Sequence, residues 1–551
     1  MTSSMEPHCL SFREIPHTTK LFSSFLEDFN RVARYYAHPP TETGIADAAR
    51  EVRLDPAVRR SVVEVLREQN ALFGKGSALE LETARNLDRL AAGAVAIVTG
   101  QQVGLFSGPA YSVYKAISAA RTAEEATRRG VDAVPVFWLA TEDHDLAEVN
   151  HSLWNTRNGL ARHDLGGNEE QARRIGEITL GEAVQPLVGT AAESLEGPFA
   201  DEIALALRES YSPRETYGSA FGKLMAHLFA GRGIVFLDPL DARLQRLAVP
   251  ACLRAVNRAE TLRDALVARS KQLEHGGFHA QVKVTPEQTL LFYNVDGHRQ
   301  AVRSHNGKFI AGTASFTPDE LRAAILETPE AFTPSVLLRP VIQDTLLPTA
   351  AYIGGPAEIA YMAQAQVVYE GILGRMPAIL PRASFTIVEP PIARLLTKYG
   401  LDFHDVLRGS QRLRTKMDQS SLSRGLARRF ETDERVVRRL LKSYLKPLGR
   451  LDRSLIGTLQ TAERKILHQF SKLKSKAGRA ESFRTGVLDR HERILLDSLY
   501  PHRGLQERSL SALPFLAAYG REFLDDLGRL FPAPGYIEGS AYAHQHRILY
   551  L

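Results

Sequence analysis

The chain has 551 residues, 44% of them hydrophobic and 24% charged, and its 69 basic against 63 acidic side chains leave a formal charge of only +6. So small a surplus excludes the dense basic face of a nucleic-acid binder while permitting anionic ligands, and no run of about 18 apolar residues exists to span a membrane. Cys9 and Cys252, without paired spacing, exclude a disulfide scaffold and a Cys-rich zinc site.

Met1–Asn30 carries acidic residues and no apolar core, so a secretory leader is not expected and a cytoplasmic setting is. From about residue 20 to 92, apolar residues recur at helical spacing, as in Leu21, Phe22, Phe25, Leu26 and Phe29. This predicts an N-terminal helical segment, 1–93, packed on a core. Between 94 and 150 the order is strand, loop, helix, strand. The apolar run Ala94–Val98 stops at Thr99-Gly100, glycines follow at 100, 104 and 108, and Pro109 opens a helical pattern through Tyr114, Lys115 and Ile117. A second buried-strand pattern, Pro135–Ala140, ends in Thr141-Glu-Asp-His-Asp145. That crossover suits a parallel βαβ unit, in which ligands meet polar groups at the C-terminal ends of strands.

Gly233–Asp238 is a further strand candidate, with Asp238 at its end, and the runs Gln281–Val284, Leu290–Asn294 and Phe309–Ile310 read as a small antiparallel insert with turns at Asp296-Gly297 and Asn306-Gly307. Val336–Asp344 and Thr349–Tyr361 follow. Gly355-Pro356-Ala357 repeats the pattern of Gly108-Pro109-Ala110: proline at a helix start, glycine where backbone must come close. Ala378–Val388 reads as one more strand bearing Arg382. From about 400 to 500 proline becomes scarce. Leu441, Leu445, Leu448, Leu455, Leu459, Ile466, Phe470 and Leu473 step by three, four or seven, the seam of an antiparallel coiled-coil hairpin or dimerisation arm, against the plainer reading of two amphipathic helices on the body. Arg547–Leu551 is an apolar segment that can return to the sheet, and His544 and His546 read as surface residues.

The candidate chemistry lies in three places. The first loop is neither a Walker A nor a dinucleotide fingerprint, yet its place between strand and helix favours ligand contact by Thr99, Gly100, Gln101, Gln102, Gly104, Ser107 and Gly108. Lys115 either reaches back to a phosphate or carboxylate or is an ordinary solvated lysine. Glu142, Asp143, His144 and Asp145 either handle protons for a polar substrate, or hold a divalent metal through Asp143, Asp145 and His151, or merely cap the next helix through Asp145 or Asn150; substrate handling is preferred, and no metal site is assigned. In the third place, Arg339, expected at a strand end, can pair a carboxylate with Gln343, Gly355, Glu358 and Tyr361 around it, or form an internal ion pair with Asp344 or Glu358.

Thr99–Pro109, Pro135–Asp145, Arg339–Asp344, Gly354–Tyr361 and Leu505-Gln-Glu-Arg508 together resemble the cysteine ligase family of bacillithiol biosynthesis, from about residue 20 to the C-terminal end. The resemblance implies an α/β fold: a Rossmann-like parallel sheet core with inserted connecting segments, a long helical coiled-coil arm, and a homodimer through that arm. The expected boundaries are 94–395 for the core (inserts at about 151–230 and 276–330), 396–500 for the coiled coil and 501–551 for a segment returning to the core. The resemblance also implies the last pathway step, in which cysteine is joined to glucosaminyl-malate by an amide bond. ATP or another nucleotide is expected to activate the carboxylate, with Mg2+ possible beside it. A metal-dependent hydrolase built on Glu142–Asp145 and a nucleotide-binding coiled-coil scaffold stand as rivals.

Overall fold

The computed structural model describes residues 7–157, 159–167, 173–295, 298–420, 424–483, 486–531 and 544–551. It contains two compact units, one built chiefly on Thr386–Gln506, the other on Cys9–Phe385 with Glu507–Arg547.

The larger unit is organised by a five-stranded, all-parallel sheet. Its elements are β1 (Val95–Gln101), α1 (Tyr111–Arg128), β2 (Ala133–Leu139), β3 (Val235–Leu237), α2 (Arg339–Leu346), β4 (Thr349–Gly354), α3 (Pro356–Ile372) and β5 (Ala378–Pro381). The strand order is β5-β4-β1-β2-β3, and Val98 of β1 lies between Tyr352 of β4 and Val136 of β2. Covered on both faces, these strands need continuous apolar runs rather than alternation, which is what Val95–Val98 and Ala133–Leu139 supply. On one face α1 presents Ala119, Ala123 and Ala126 to Val95, Ile97, Ala351 and Leu380. These small side chains let the helix lie close to the sheet.

The order of strands fixes where a ligand can bind. From β1 the chain moves outward through β2 to β3, then returns to the other side of β1 to make β4 and β5. The connections after β1 and β4 therefore part from each other, and a crevice opens at the strands' C-terminal ends.

Between β2 and β3 lie a hairpin (His151–Thr156 with Gly159–Asp164) and three longer helices, Val184–Glu193, Ala200–Ser210 and Tyr217–Leu228. Between β3 and β4 stands an antiparallel sheet of five strands from Gln288 to Pro334, larger than the runs in the sequence suggest, because His298–His305, Ala314–Phe316 and Phe332–Pro334 also pair. Gln281–Val284 is not a strand there, and the expected Asp296-Gly297 turn lies outside the described residues. The single strand expected at Ala378–Val388 is two. Arg382-Ala383-Ser384 interrupts it, and Phe385–Val388 belongs to a separate three-stranded sheet with the C-terminal strand His546–Tyr550. That final segment thus joins a sheet, but not the parallel one. His544 and His546, expected at the surface, are buried: His546 Nδ1 meets Ser384 Oγ at 2.7 Å, His544 Nε2 meets the Arg382 carbonyl at 2.6 Å, and burial pushes their pKa values down to about 4 and about 3.

In the smaller unit the helices Arg424–Ser443 and Ser454–Phe483 are the longest. Gln419 bonds to Ser471 and Arg438 to Glu463, so the chain doubles back antiparallel across the connecting helix Leu445–Leu451. Its apolar seam is not sealed: Val436, Leu440, Tyr444, Leu451 and Leu473 are each more than half or close to half exposed. No helix among the described residues is long and apolar enough to cross a membrane.

Candidate active site

At the end of β1 the backbone is packed against β2. A Cβ on Gly100 would stand 3.0 Å from the Trp138 carbonyl, so glycine is what lets the two strand ends meet. The following loop is compact rather than open. A Cβ on Gly104 would fall 2.9 Å from Gly108 Cα, and Phe106 and Ser107 both adopt left-handed φ (51° and 69°). Such strained backbone persists only where its surroundings over-determine it. Here the Phe106 N–H donates to the Tyr211 hydroxyl at 2.8 Å, and its ring packs edge-on against Tyr211 and Trp154.

Around the crevice lies a cavity of about 470 Å3. Gly100, Gln101, Gln102 and Lys115 contribute from the first loop and α1, and Arg339, Gly355, Glu358 and Tyr361 from the α2–α3 side. Thr99, Gly104, Ser107, Gly108 and Gln343 stand behind this wall: Thr99 Oγ1 donates to the Ile353 carbonyl (2.9 Å), Ser107 is fully buried, and Gln343 Oε1 accepts from Arg339 (3.2 Å).

Lys115 is not the solvated lysine of the plainer reading. It is buried, and its Nζ reaches the Gly100 carbonyl at 2.7 Å, Gln101 Oε1 at 2.8 Å and Glu358 Oε2 at 2.5 Å. Burial lowers the lysine pKa despite Glu358. Burial also opposes the Glu358 carboxylate, but Lys115, the Gly355 N–H (2.8 Å) and the Tyr352 hydroxyl (2.6 Å) outweigh it and hold its pKa below the usual range. This pair ties the two halves of the crevice together.

Arg339 is placed at the first turn of α2, not at a strand end, because Pro340 is suited to open a helix and the Leu338 and Arg339 N–H groups already bond to the Ser335 carbonyl. Neither internal ion pair forms. Among the described residues its guanidinium bonds to neutral groups, Gln343 Oε1, the Tyr361 hydroxyl (3.1 Å) and the Tyr352 hydroxyl (3.4 Å). Asp344 is occupied instead by Gln343, Thr349 and Tyr369. Arg339 thus brings an uncompensated charge to the wall, beside the N-terminus of α3, where N–H groups add positive potential.

The acidic turn meets the first loop: Gln102 Nε2 donates to Asp143 Oδ2 at 2.7 Å. Asp143 Oδ1 accepts the His144 N–H (2.8 Å) and lies 3.5 Å from His144 Nδ1. Asp145 takes the capping role, accepting the Glu148 N–H at 3.3 Å, and is exposed. Glu142 is different. Its Oε1 is sealed from solvent without a hydrogen-bond partner, and burial raises its pKa to about 7 against the opposing charges of Arg339 and Arg299. His144 moves the other way, lowered by burial and by Arg299, whose Nη1 stands 3.2 Å from His144 Nδ1. Two neighbouring groups with pKa values pushed apart are the usual basis for assigning an acid and a base.

The candidates Asp143, Asp145 and His151 do not gather as a metal would require, since among the described residues no group of three or more His, Cys, Asp or Glu converges in that way. Asp238, at the end of β3, accepts from Thr141 Oγ1 (2.5 Å) and the Leu240 N–H (3.0 Å), a structural use. Sequence reasoning missed Arg299, Tyr352, Trp138, Glu148, Arg382 and Arg508 as members of this neighbourhood. Trp138, the penultimate residue of a strand that ends in a polar turn, carried a usable hint. Arg299 and Tyr352 carried none, since only folding brings them here.

Two family models match: the Rossmann-like N-terminal domain of the bacillithiol biosynthesis protein BshC over residues 5–383, and its C-terminal coiled-coil domain over 385–536. A protein of Koribacter versatilis named "Putative cysteine ligase BshC" is 40% identical over 99% of this chain and all of its own length. Proteins with the same name from Solibacter usitatus and Salinibacter ruber are 36% and 32% identical, covering 93% and 92% of this chain and 95% and 93% of their own. With its Rossmann-like core, its coiled-coil domain and relatives matched over more than nine-tenths of their length, this chain belongs to the BshC family of bacillithiol biosynthesis.

Proposed function

We propose that the protein is a cysteine ligase that joins the cysteine carboxylate to the amine of glucosaminyl-malate, the last step in making bacillithiol. The observation that carries this reading is the guanidinium of Arg339, bonded to neutral groups on the wall of a cavity of about 470 Å3 and near enough to Glu142 to act on its carboxyl, although Glu142 and His144 do not themselves line that cavity. Malate carries two carboxylates, and a bidentate guanidinium beside a helix N-terminus suits such a group. Arg508, at the same wall, supplies a second cation.

Amide formation needs an amine without its proton and a carboxylate with a leaving group. His144, neutral because burial and Arg299 lower its pKa, takes the proton from the attacking ammonium. Glu142, still protonated near neutrality, gives a proton to the departing oxygen. Arg339, Arg508 and the α3 N-terminus steady developing negative charge, while Lys115, paired with Glu358, holds the wall in place. A nucleotide co-substrate, ATP or another, would transfer a phosphoryl or nucleotidyl group to the cysteine carboxylate, so that phosphate or the nucleoside monophosphate departs, its C–O bond breaking, when the amine attacks. Holding both reactants in one crevice contributes a large part of the rate. The helical unit makes the homodimer, since its half-exposed leucine seam gains by covering itself with a second copy.

The direct test is mass spectrometry of cysteine, glucosaminyl-malate and enzyme with each nucleotide added or withheld. Product only in the complete mixture supports the reading; none under any condition refutes it. Replacing Arg339 with Leu should raise KM for glucosaminyl-malate about 10- to 100-fold, the value of a charged hydrogen bond or two, with KM for cysteine little changed. His144→Ala should slow turnover by two orders of magnitude or so while leaving both KM values near wild type.

A further inference from the structure

A second cavity, of about 310 Å3, lies under the antiparallel sheet inserted between β3 and β4. Val336 lines both cavities, so the segment before α2 is a thin partition between them. Val284, Leu290 and Phe292 give the second cavity apolar surface, and Arg263 and Arg299 add two cations to its wall. Arg299 stands in its wall and is held rigidly: Nε donates to Thr333 Oγ1 (2.9 Å), Nη2 to the Pro334 carbonyl (2.9 Å), and the guanidinium lies 3.6 Å from the Phe292 ring centre. The remaining nitrogen, Nη1, points at His144. No carboxylate bonds to Arg299 among the described contacts. Ser335, in the same wall and 5% exposed, has a hydroxyl with no hydrogen-bond partner. A buried hydroxyl left unpaired costs about 1–3 kcal/mol, a cost that an arriving polar group relieves.

His144 lines neither cavity but stands 3.2 Å from Nη1 of Arg299 in the wall of the smaller one, and Val336 belongs to the walls of both, so the acidic turn meets the smaller cavity through Arg299. We propose, resting on the ligase reading above, that the smaller cavity is the pocket for the amino-acid substrate, cysteine. Arg299 takes its carboxylate beside His144, and the apolar wall takes the CH2–SH group, which behaves as a small hydrophobe. Ser335 and Gln288 offer neutral oxygens to the amine. The division of labour keeps the dianionic partner in the larger cavity, with Arg339, Arg382 and Arg508, and the acyl donor in the smaller one, with the reacting groups meeting at the partition.

Direct titration of the full-length protein with L-cysteine, and separately with glucosaminyl-malate, tests this. Val284→Trp narrows the pocket from its rim, and Ser335→Val removes its unpaired hydroxyl; neither residue is in the catalytic group. Each variant, shown folded by circular dichroism, should bind L-cysteine at least about tenfold more weakly, roughly one lost polar contact. Affinity for glucosaminyl-malate should stay within about twofold of wild type. Unchanged cysteine binding in both folded variants, or none in the wild type, overturns the proposal. Product formation is read separately. A wild type that binds cysteine in this pocket yet makes no amide upholds the pocket and refutes the ligase reading.

Discussion

Glu142→Gln is expected to lower kcat by two to four orders of magnitude while making the folded protein more stable at alkaline pH. The amide keeps the shape of the carboxyl but cannot release a proton, and general acid catalysis is worth about that much. The pH profile gives the discriminating readout. His144 must be neutral to accept a proton, and its pKa is lowered below the ordinary 6.5. Glu142 must be protonated to donate, and its pKa is raised to about 7. Turnover should therefore rise at acidic pH as His144 loses its charge and fall above about 7 as Glu142 ionises. In Glu142→Gln the descending limb should be absent and the ascending one retained. A variant with wild-type turnover removes Glu142 from the mechanism.

The stability half follows from linkage. A carboxyl raised from 4.5 to about 7 contributes stability fully below pH 4.5 and loses it as pH rises through 7. The loss is at most about 3 kcal/mol at pH 8, from roughly 1.4 kcal/mol per pKa unit. Glutamine does not ionise, so urea denaturation should show the variant gaining stability over wild type at pH 8 and little at pH 4.5. Stabilisation together with lost activity is the behaviour of a residue kept in an unfavourable state for function.

Glu507→Ala should have the opposite effect, a loss of about 3–5 kcal/mol, because it leaves a buried guanidinium without its counter-charge. Arg382 and Glu507 are 6% and 1% exposed and 2.7 Å apart. Glu507 also accepts from Ser384 Oγ and the Phe385 N–H, both at 2.9 Å, so three donors lose their acceptor at once. Burial alone would raise the Glu507 pKa, but Arg382 and these hydrogen bonds bring it below the usual 4.5. The pair's contribution is therefore present above pH 4.5 and is lost as pH falls through the depressed value. Chemical denaturation at neutral pH should show the loss. The double variant Arg382→Leu/Glu507→Leu should recover the part due to the stranded guanidinium, while the Ser384 hydroxyl and the Phe385 N–H stay without their acceptor. A single variant as stable as wild type would show that the pair carries no net stability. Arg382 also lines the cavity and lies over the Tyr111 ring at 5.4 Å, so a weaker grip on the anionic substrate should accompany the loss.

Much of this architecture was legible because its punctuation is local. An apolar run ended by Thr99-Gly100, or by Thr349–Gly354 with Gly355-Pro356 after it, specifies strand, turn and helix start within a dozen residues. The acidic turn after Leu139 was legible for the same reason, and so was the coiled-coil unit, whose leucines repeat along one helix face. Where local cues competed, the reading failed. Arg339 precedes a proline and begins a helix, although the apolar run before it looked like a strand. Ala378–Val388 is uniformly apolar but breaks after Pro381, because its two halves serve different sheets.

By itself the sequence determined most of the elements and placed Gly100, Gln102 and Lys115 on the crevice, but it could not tell that Thr99, Gly104, Ser107 and Gly108 serve packing. The meeting of Lys115 with Glu358, of Glu142 with Arg339 and Arg299, and of His144 with an arginine from the inserted sheet was decided only by tertiary structure. Hydrophobic periodicity and turn chemistry act over a few residues, whereas the strand order β5-β4-β1-β2-β3 is a choice among long-range pairings. That choice sets which loops face each other, and with them which charges are left unpaired.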